Sequence, residues 1–574
     1  MSIDQAATQM SNIGAANSPE SESTANRLTG PSLGRSWIAG ALGGALALSV
    51  GEVVSRFSES VESLIVGVAN LLIELTPGEI IATSINNIGP WQKPLLIFGI
   101  IFGAIAVAGW LATRQATSKL SVPIGFGLFG LLGGFATARD ALTNAPVSWI
   151  VAIIAAAIGA TATMLMLRSA RRAEENDHLA STTPDASLAE GADRRQFIAY
   201  GGVAASVAAL TGVSRIGRTS AAERARNEIL AQQAGTTTTV PGSEGAAAPT
   251  PTQTALPVGQ FEDIEGITPR IISISPEDDF YLIDTAIVKP QVNPATWSLT
   301  INGPYVDNPI TYTYEELLAR PMVTREVTLS CVSNPIGGDL VGNAIWEGIP
   351  ITELLDEAGV QNPSNPNHQF FSRSVDDFTC GFPLPLAYDG RTAMLALRMN
   401  GEPLPIDHGF PARLVIAGLY GYVSATKWVE EITITDWIGV DGYWQPRGWG
   451  KEGPIKTSSR IDVPANRTQF APGTTAIGGI AWSPTIGIER VELYIGDDVD
   501  ESLEDDSAWV EAELANTESD ETWVQWRYEW NAEPGDYLVR VRATDKNGNT
   551  ESPIPVAPAP DGAEGWHSIV VRVA

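Results

Sequence analysis

The sequence has few cysteines, few histidines and far fewer basic than acidic residues. Cys331 and Cys380 are the only cysteines in 574 residues, which is too few for a disulfide-based scaffold. The chain carries 36 basic and 66 acidic residues, a formal net charge of −30. Residues 1–217 contribute −2 of this charge and residues 218–574 contribute −28. Because so acidic a half repels phosphate backbones, we expect no nucleic-acid partner.

Common catalytic motifs are missing as well. We find no Gly-rich phosphate loop and no G-x-S-x-G, H-E-x-x-H or C-x-x-C pattern. Residues 545–551 carry side-chain oxygens at alternate positions, as a calcium loop does, but Asn547-Gly548 is a standard hairpin turn. The turn is therefore the favoured interpretation.

Long apolar runs fill the N-terminal third of the chain. Five of them are long enough to cross a hydrocarbon core of roughly 30 Å, at about 37–54, 94–112, 121–138, 147–167 and 197–213. The segment 60–75 is shorter and carries Glu62 and Glu74, which favours an interfacial or re-entrant helix over a sixth span. None of the four histidines lies in a span, so no haem is expected.

Basic residues beside these runs predict the topology. With five spans and a cytoplasmic N-terminus, the basic residues that flank the spans fall on the cytoplasmic side: Arg114, Lys119, Arg168, Arg171, Arg172, Arg194 and Arg195. The C-terminal half then lies on the extracytoplasmic side of the cell membrane. Arg194 and Arg195 fit a twin-arginine export signal, and ordinary positive-inside arginines explain them equally well.

Composition divides the chain into five parts. Residues 1–34 lack hydrophobic periodicity and predict a disordered tail, 35–217 form the membrane region, and 218–260 have the Thr, Pro, Ala and Gly bias of a flexible linker. From 261 to 458, short β-type runs alternate with helix-like stretches, which predicts an α+β domain. From 459 to 574, alternating strands separated by Gly, Pro and Asn turns predict an immunoglobulin-like β-sandwich.

Cys331 stands apart from the other candidate residues. It ends an apolar β-type run and opens a loop rich in Gly and Asn, where backbone can approach a ligand closely. A lone cysteine at a strand end is more often a small buried hydrophobe. Here, however, Trp346-Glu347-Gly348-Ile349-Pro350, Asp407-His408-Gly409-Phe410-Pro411-Ala412-Arg413 and Ser424-Ala425-Thr426-Lys427-Trp428 follow. With them, residues 270–574 resemble the sulfite oxidase family of molybdopterin enzymes.

The resemblance implies a molybdenum-molybdopterin cofactor, with the soft thiolate of Cys331 as metal ligand. Arg413 and Lys427 suit a phosphate group chemically. The full set of cofactor-binding residues that it implies is Tyr281, Asp284, Cys331, Asp376, His408, Arg413, Ser424, Thr426 and Lys427. Tyr443 and Arg447 lie in a loop that the family places over the metal, so either they contact substrate or they simply line the loop. Cys380 is expected only to pack.

We therefore predict a membrane-anchored oxidoreductase that transfers an oxygen atom to or from a small molecule. Relatives that oxidise sulfite carry Cys-x-x-Asn-Arg-Arg, whereas Pro335 and Ile336 stand at the arginine positions here, which favours a sulfoxide-type compound over sulfite. Sulfite dehydrogenase and a non-catalytic, membrane-tethered module with a vestigial cofactor site are the alternatives. The sandwich resembles the family's dimerisation domain, so a homodimer is a candidate assembly. An electron-transfer partner is implied but not identified.

Overall fold

The computed structural model describes residues 32–57, 61–77, 91–139, 143–182, 220–235, 274–496 and 506–574, with single positions at 80, 84 and 88. The chain divides into two compact units. One comprises Met1–Leu72 with Lys93–Gly217, and the other comprises Ile73–Gln92 with Arg218–Ala574.

Apolar helices make up the described part of the predicted membrane region. They are α1 Leu33–Phe57, α2 Leu64–Leu75, α3 Gln92–Arg114, α4 Ser121–Thr137 and α5 Ala145–Thr182. Glycines let neighbouring helices approach closely: a Cβ on Gly40 would lie 2.2 Å from the carbonyl oxygen of Ala108, and one on Gly43 would lie 1.9 Å from Thr163 Oγ1. Small residues at such contacts are typical of helices that pack in a membrane.

Three of these helices are long and apolar enough to cross a membrane: Leu33–Ser55, Gln92–Arg114 and Ala145–Arg172. They coincide with three of the five predicted spans. The run predicted at 121–138 forms the 17-residue α4, and the predicted interfacial segment contains the 12-residue α2. The fifth predicted span, Arg194 and Arg195, and residues 1–31 of the predicted tail lie outside the described residues.

The structure corrects the linker prediction at its start. Residues Ala221–Gly235 form helix α6, in which Ser220 and Glu223 cap the N-terminus by reciprocal hydrogen bonds of 2.8 and 3.0 Å. Ala222 is fully buried in the hydrophobic core of the second unit. The prediction of a linker over 218–260 is therefore wrong for this segment. The Thr and Pro bias that motivated it belongs to residues 236–260, which are not among the described residues.

Two β-sheets form the domain that follows. Its strands in chain order are β1 Ser298–Asn302, β2 Ile310–Thr313, β3 Val323–Ser330, β4 Val341–Pro350, β5 His368–Ser374, β6 Thr379–Pro383, β7 Ala393–Met399, β8 Glu402–Pro403, β9 Arg413–Ile416 and β10 Val429–Asp436. Its short helices are α7 Tyr314–Leu318, α8 Ile351–Glu357 and α9 Gly421–Ser424, with 3-10 turns at Leu384–Ala387, Ile406–His408 and Gln445–Arg447.

The strand order explains why this domain has one core. The first sheet runs β2-β1-β10-β5-β6, in which β1 and β10 are parallel, and the second runs β3-β4-β7-β8 with β9 paired to β7. Trp346 of β4 and Trp428 before β10 are almost completely buried between these elements. The α+β architecture predicted for this region is present, including the strand near 297–301 and the helix near 314–320.

The C-terminal residues form two further sheets over a second core. The strands are β11 Ser458–Val463, β12 Gln469–Phe470, β13 Gly473–Trp482, β14 Ile488–Gly496, β15 Trp509–Glu511, β16 Glu513–Leu514, β17 Val524–Ala532, β18 Gly535–Asp545 and β19 His567–Val573. One sheet is β11-β13-β17-β16 and the other is β12-β19-β18-β14-β15. Ile477 and Trp526 from one sheet meet Leu493 and Val541 from the other. The immunoglobulin-like classification of this C-terminal domain stays a prediction.

The segment that resembles a calcium loop is a turn after β18. One carboxylate oxygen of Asp545 accepts the backbone N–H groups of Asn547 and Asn549, both at 2.9 Å. Gly548 has a φ of +84°, which a glycine adopts without strain. The turn interpretation is confirmed.

The docking of α6 can be tested at Arg226. This side chain donates from Nε to the carbonyl oxygens of Pro403 and Leu404, 3.2 Å each, and from a terminal nitrogen to Glu277 and Glu402. Hydrogen bonds to charged groups contribute about 1.5–3 kcal/mol each. We expect Arg226→Ala to speed amide hydrogen exchange in 221–235 at least about tenfold, since tenfold corresponds to about 1.4 kcal/mol.

The exposed Asn227 on the same helix supplies the control. Asn227→Ala should leave exchange in α6 within about twofold of the unmodified chain. Equal exchange in the Arg226→Ala protein would show that Arg226 does not hold the helix.

Candidate functional site

The Cys331 loop, residues 331–340, connects β3 to β4. The two strands pair as far as Ser330 and Val341, and the N–H of Cys331 then donates to the carbonyl of Leu340 at 2.9 Å, which closes the base of the loop. Cys331 is 7% exposed, and burial raises the pKa of its thiol. The N–H of Ser333 points to the sulfur at 3.4 Å and lowers that pKa in part. The strand end thus presents a buried thiol with one backbone donor.

Arg413 is a buried cation at the first residue of β9. It is 5% exposed and stacks over Trp346, with 4.9 Å from the guanidinium carbon to the ring centre. Its hydrogen bonds go to the carbonyl oxygens of His408, at 3.3 Å, and Leu414, at 3.4 Å, and it has no carboxylate partner within the described part of the chain. Burial lowers its pKa to about 10. A guanidinium in this state favours a bound anion.

Lys427 lies beside Arg413 and has a carboxylate partner. Its ammonium group donates to Asp284 at 2.7 Å and to the carbonyl oxygen of Asp407 at 3.0 Å. Both members of this pair are about nine-tenths buried. Burial lowers the pKa of Lys427 to about 8 against the opposing effect of Asp284. Gly409 permits the close approach, because a Cβ there would lie 3.1 Å from the Cβ atoms of both Arg413 and Lys427.

His408 and Tyr281 complete the wall on this side. His408 is 3% exposed, and its Nε2 is 3.0 Å from the carbonyl oxygen of Glu277. Burial lowers its pKa to about 4, so the ring is neutral at pH 7. Phe280 packs edge-on against His408 and stacks on Tyr281. Burial, and then the neighbouring Cys331, raises the pKa of the Tyr281 hydroxyl.

Two predicted residues direct their hydroxyl groups into the protein. Ser424 donates to the carbonyl oxygens of Tyr420 and Leu419, at 3.0 and 3.3 Å. The Thr426 hydroxyl lies 2.8 Å from Ser372 Oγ and 3.0 Å from Cys380 Sγ. These side chains therefore brace α9 and the strand ends around the site. Cys380 is fully buried, and burial raises its pKa to about 11.

Asp376 lies in the turn between β5 and β6. Burial raises its pKa, and Asp284 is close enough to raise it further. Its Oδ1 atom is buried and has no hydrogen-bond partner among the residues that the structure describes. Such an atom is costly unless a ligand or water donates to it.

Tyr443 and Arg447 lie together in the loop that passes this turn. The N–H of Tyr443 donates to the carbonyl of Thr379 at 2.8 Å. The Arg447 guanidinium lies over the Tyr443 ring at 3.7 Å and donates to the Tyr443 carbonyl oxygen at 2.5 Å. Its Nε is buried and lacks a partner within the described ranges. After the turn that holds Asp376, this loop is therefore the second part of the site with a buried polar atom that has no hydrogen-bond partner in the described residues.

The structure also assigns residues that the sequence analysis missed. Gln445 Oε1 and Trp449 Nε1 are buried without partners in the described part of the chain, in the same loop as Tyr443. Burial raises the pKa of Tyr420, and Cys331 is close enough to raise it further. The signal for the loop residues was the aromatic run from Tyr443 to Trp449. No role was predicted for Tyr420 from the sequence.

The predicted residues form one connected group. Tyr281 lies within electrostatic reach of Cys331 and Arg413, and Arg413 within reach of His408 and Lys427. Asp284 joins Lys427 to Asp376, which in turn influences Tyr443. Residues from strand ends far apart in sequence therefore converge on one site that combines a thiol, buried cations and unsatisfied polar atoms.

Comparison with known proteins agrees with this chemistry. Residues 286–444 match the family model described as an oxidoreductase molybdopterin binding domain. The uncharacterized oxidoreductase YuiH of Bacillus subtilis is 30% identical over 157 residues, which cover 27% of this chain and 74% of that protein. The mitochondrial sulfite oxidase of Rattus norvegicus is 26% identical over 331 residues, which cover 50% of this chain and 59% of that one.

Among solved structures, the sulfane dehydrogenase SoxCD from Paracoccus pantotrophus is 21% identical with a TM-score of 0.44, covering 59% of this chain and 98% of that one. The chain spans between 38% and 59% of the length of the sulfite oxidases that it matches. The matched domain and these relatives identify an oxidoreductase. The chain belongs to the sulfite oxidase family of molybdopterin-dependent oxidoreductases.

Proposed function

We propose that the chain is a membrane-anchored molybdenum-cofactor oxidoreductase that catalyses a two-electron oxygen-atom transfer on a small molecule. The observation that carries this proposal is a site that holds both the buried thiol of Cys331 and the buried guanidinium of Arg413, with Tyr281 within electrostatic range of both. The guanidinium has no carboxylate partner among the described residues. A cysteine thiolate suits a metal such as molybdenum, and a buried guanidinium suits an anionic phosphate. The residues present therefore fit a molybdopterin.

In this proposal Cys331 is the protein ligand of the metal. Burial raises the pKa of its thiol, so binding to a cation must displace the proton, and the N–H of Ser333 favours the resulting thiolate. The cofactor, when bound, supplies two-electron redox chemistry at molybdenum. The protein contributes a fixed thiolate in a site that is largely closed to water.

The remaining residues hold the cofactor. Arg413 offers its guanidinium to the phosphate, while Lys427, fixed by Asp284, adds a second positive charge nearby. His408, Tyr281 and Asp376 line the pterin, with the unpartnered Asp376 oxygen as an acceptor for an N–H group. Ser424 and Thr426 act through the local backbone, because their hydroxyl groups are engaged in the fold.

For the substrate we propose a neutral or weakly charged oxygen-atom donor or acceptor, such as a sulfoxide. Pro335 and Ile336 provide no positive charge in the Cys331 loop, and the strongly acidic half of the chain offers no long-range attraction for a dianion. Tyr443 and Arg447 are the proposed substrate contacts. Sulfite is the second candidate, because the half-buried Arg447 retains a donor, Nε, without a partner in the described residues.

The membrane region anchors the enzyme. Three helices of membrane-crossing length support attachment, and the distribution of basic residues supports a multi-pass topology with the catalytic domain outside the cytoplasm. A folded domain loaded with cofactor needs an export route for folded proteins, which Arg194 and Arg195 would signal. A homodimer through the sandwich and a separate electron-transfer protein are the proposed partners.

Replacing the proposed ligand tests the metal assignment. We expect Cys331→Ser to fold and retain pterin but to lose the molybdenum-thiolate absorption and turnover, because an alkoxide is a harder donor than a thiolate. Cys380→Ser is the matched control and should keep both properties. Full turnover by the Cys331→Ser protein would rule out this ligand.

Steady-state assays of the purified, cofactor-loaded chain test the substrate class. We expect turnover of sulfoxides with a reduced dye and poor oxidation of sulfite with an artificial acceptor. A kcat/KM for sulfite above about 10⁴ M⁻¹s⁻¹, the low end for ordinary enzymes, without sulfoxide turnover would overturn the proposed substrate.

The export route is tested by replacing both Arg194 and Arg195 with lysine. This change keeps the charge that orients a span, so we expect the membrane region to insert while the catalytic domain fails to reach the outside. Protease accessibility in cells reports the position of the domain. An exported, molybdenum-loaded domain in the double variant would contradict the route and leave the topology intact.

A further inference from the structure

The C-terminal sandwich grips the tip of the Cys331 loop through Arg460. This residue of β11 donates from a terminal nitrogen to the carbonyl oxygen of Gly338 at 2.7 Å. Its Nε donates to Asp462 at 2.6 Å, which orients the guanidinium toward the loop. Both side chains are about five-sixths buried, with 17% and 15% of their surface exposed. A charged donor held in this way fixes the position of the Gly338 carbonyl.

His567 supports the neighbouring residue of the loop. A Cβ on Gly337 would lie 2.2 Å from Cδ2 of His567, so the imidazole packs directly against the loop backbone. Gly337 has a φ of +69°, a conformation that favours glycine. The N–H of Ile461 donates to His567 Nδ1 at 2.9 Å and fixes the ring. Arg460 and His567 therefore hold two consecutive residues at the tip.

The loop transmits this support to the thiol. Gly338 donates to the Pro335 carbonyl at 2.9 Å, Asn334 donates to the Cys331 carbonyl at 3.0 Å, and the Asn334 side chain accepts the N–H of Leu340 at 2.9 Å. These bonds join the tip to both ends of the loop. A shift of Gly338 must therefore change the loop backbone, including the Ser333 N–H that faces the sulfur at 3.4 Å.

The strand that leads into the loop is held from the same side. The N–H of Thr328 in β3 donates to the Glu521 carbonyl at 3.0 Å, and the N–H of Trp523 donates to the Thr328 hydroxyl at 2.7 Å. Thr328 is fully buried. The C-terminal residues thus contact both the strand before Cys331 and the loop after it.

We propose that Arg460, with His567, is a positioning residue for the Cys331 thiolate, so that the sandwich is a structural part of the ligand loop and not only an association domain. The consequence for molybdenum rests on the proposed function, whereas the ordering of the loop does not. Groups that orient a metal ligand typically change metal affinity or activity by about 10- to 100-fold when they are removed. Loss of Arg460 should therefore affect both the thiol and the metal.

The test uses the full-length protein in detergent, first prepared without cofactor. The rate of alkylation of Cys331 by iodoacetamide reports loop order, and the fully buried Cys380 is an internal reference. We expect Arg460→Ala to raise the Cys331 rate at least about tenfold and to leave the Cys380 rate unchanged. Arg460→Lys, which keeps a donor for the Gly338 carbonyl, should restore the rate to within about threefold.

Arg572→Ala is the matched control. Arg572 lies in the same sandwich and makes the same kind of fork with Asp536, at 2.6 and 3.0 Å, but its side-chain bonds do not go to the Cys331 loop. In the Arg572→Ala protein, Cys331 should be alkylated at the same rate as in the unmodified chain. An unchanged rate in Arg460→Ala, or equal increases in Arg460→Ala and Arg572→Ala, would overturn the proposal.

A second readout uses the cofactor-loaded protein. We expect Arg460→Ala to lose about tenfold in molybdenum retention during dialysis and to shift the molybdenum-thiolate absorption, with Arg460→Lys recovering both. If Arg460→Ala does not fold, as judged by hydrogen exchange in β17, Asp462→Asn carries the same test because it releases the guanidinium without removing it. Faster alkylation in Arg460→Ala together with intact absorption in Cys331→Ser would refute only the metal assignment.

Discussion

The burial of two cations side by side is the constraint on which the site depends. Arg413 and Lys427 are each more than nine-tenths buried, yet within the described residues only Lys427 has a carboxylate partner. A buried charge is costly unless it is paired and hydrogen-bonded. Asp284, the stack on Trp346 and several backbone carbonyls reduce that cost but leave a net positive site. In the proposed function, the phosphate of a pterin supplies the negative charge that balances this site.

The two sheets make this arrangement possible because the key residues stand at strand ends. Cys331 follows β3, Arg413 opens β9, and Lys427 comes two residues before β10. Gly409 lets the last two approach each other, and Trp346 supplies an aromatic face for the guanidinium. Regular pairing of β3 with β4 and of β7 with β9 then fixes the distances between residues that are far apart in sequence. The strands form a rigid scaffold that fixes the positions of these residues, and the residues themselves lie in loops or at strand ends.

The sandwich and helix α6 extend this support beyond the cofactor-binding domain. Arg460 and His567 contact the Cys331 loop, while Arg226 of α6 donates to Glu277, whose carbonyl is hydrogen-bonded to His408. Residues at both ends of the second unit therefore contact groups that touch the site. Residues outside 286–444, the range that the family model covers, therefore contribute contacts to the site.

The sequence by itself predicted the domain order and three helices of membrane-crossing length, and its resemblance to the sulfite oxidase family placed Cys331, Arg413 and Lys427 in one predicted group. Hydrophobic run length and local motifs carry that information because each depends on residues close together in the chain. Helix α6 was not predicted, because the Thr and Pro bias of residues 236–260 dominates the composition of the whole segment 218–260. Only the tertiary structure decided that Lys427 pairs with Asp284, that Asp376 keeps an unpartnered oxygen among the described residues, and that Arg460 reaches Gly338. These contacts join residues 122 to 143 positions apart, or depend on burial by several elements, and no local pattern encodes such distances.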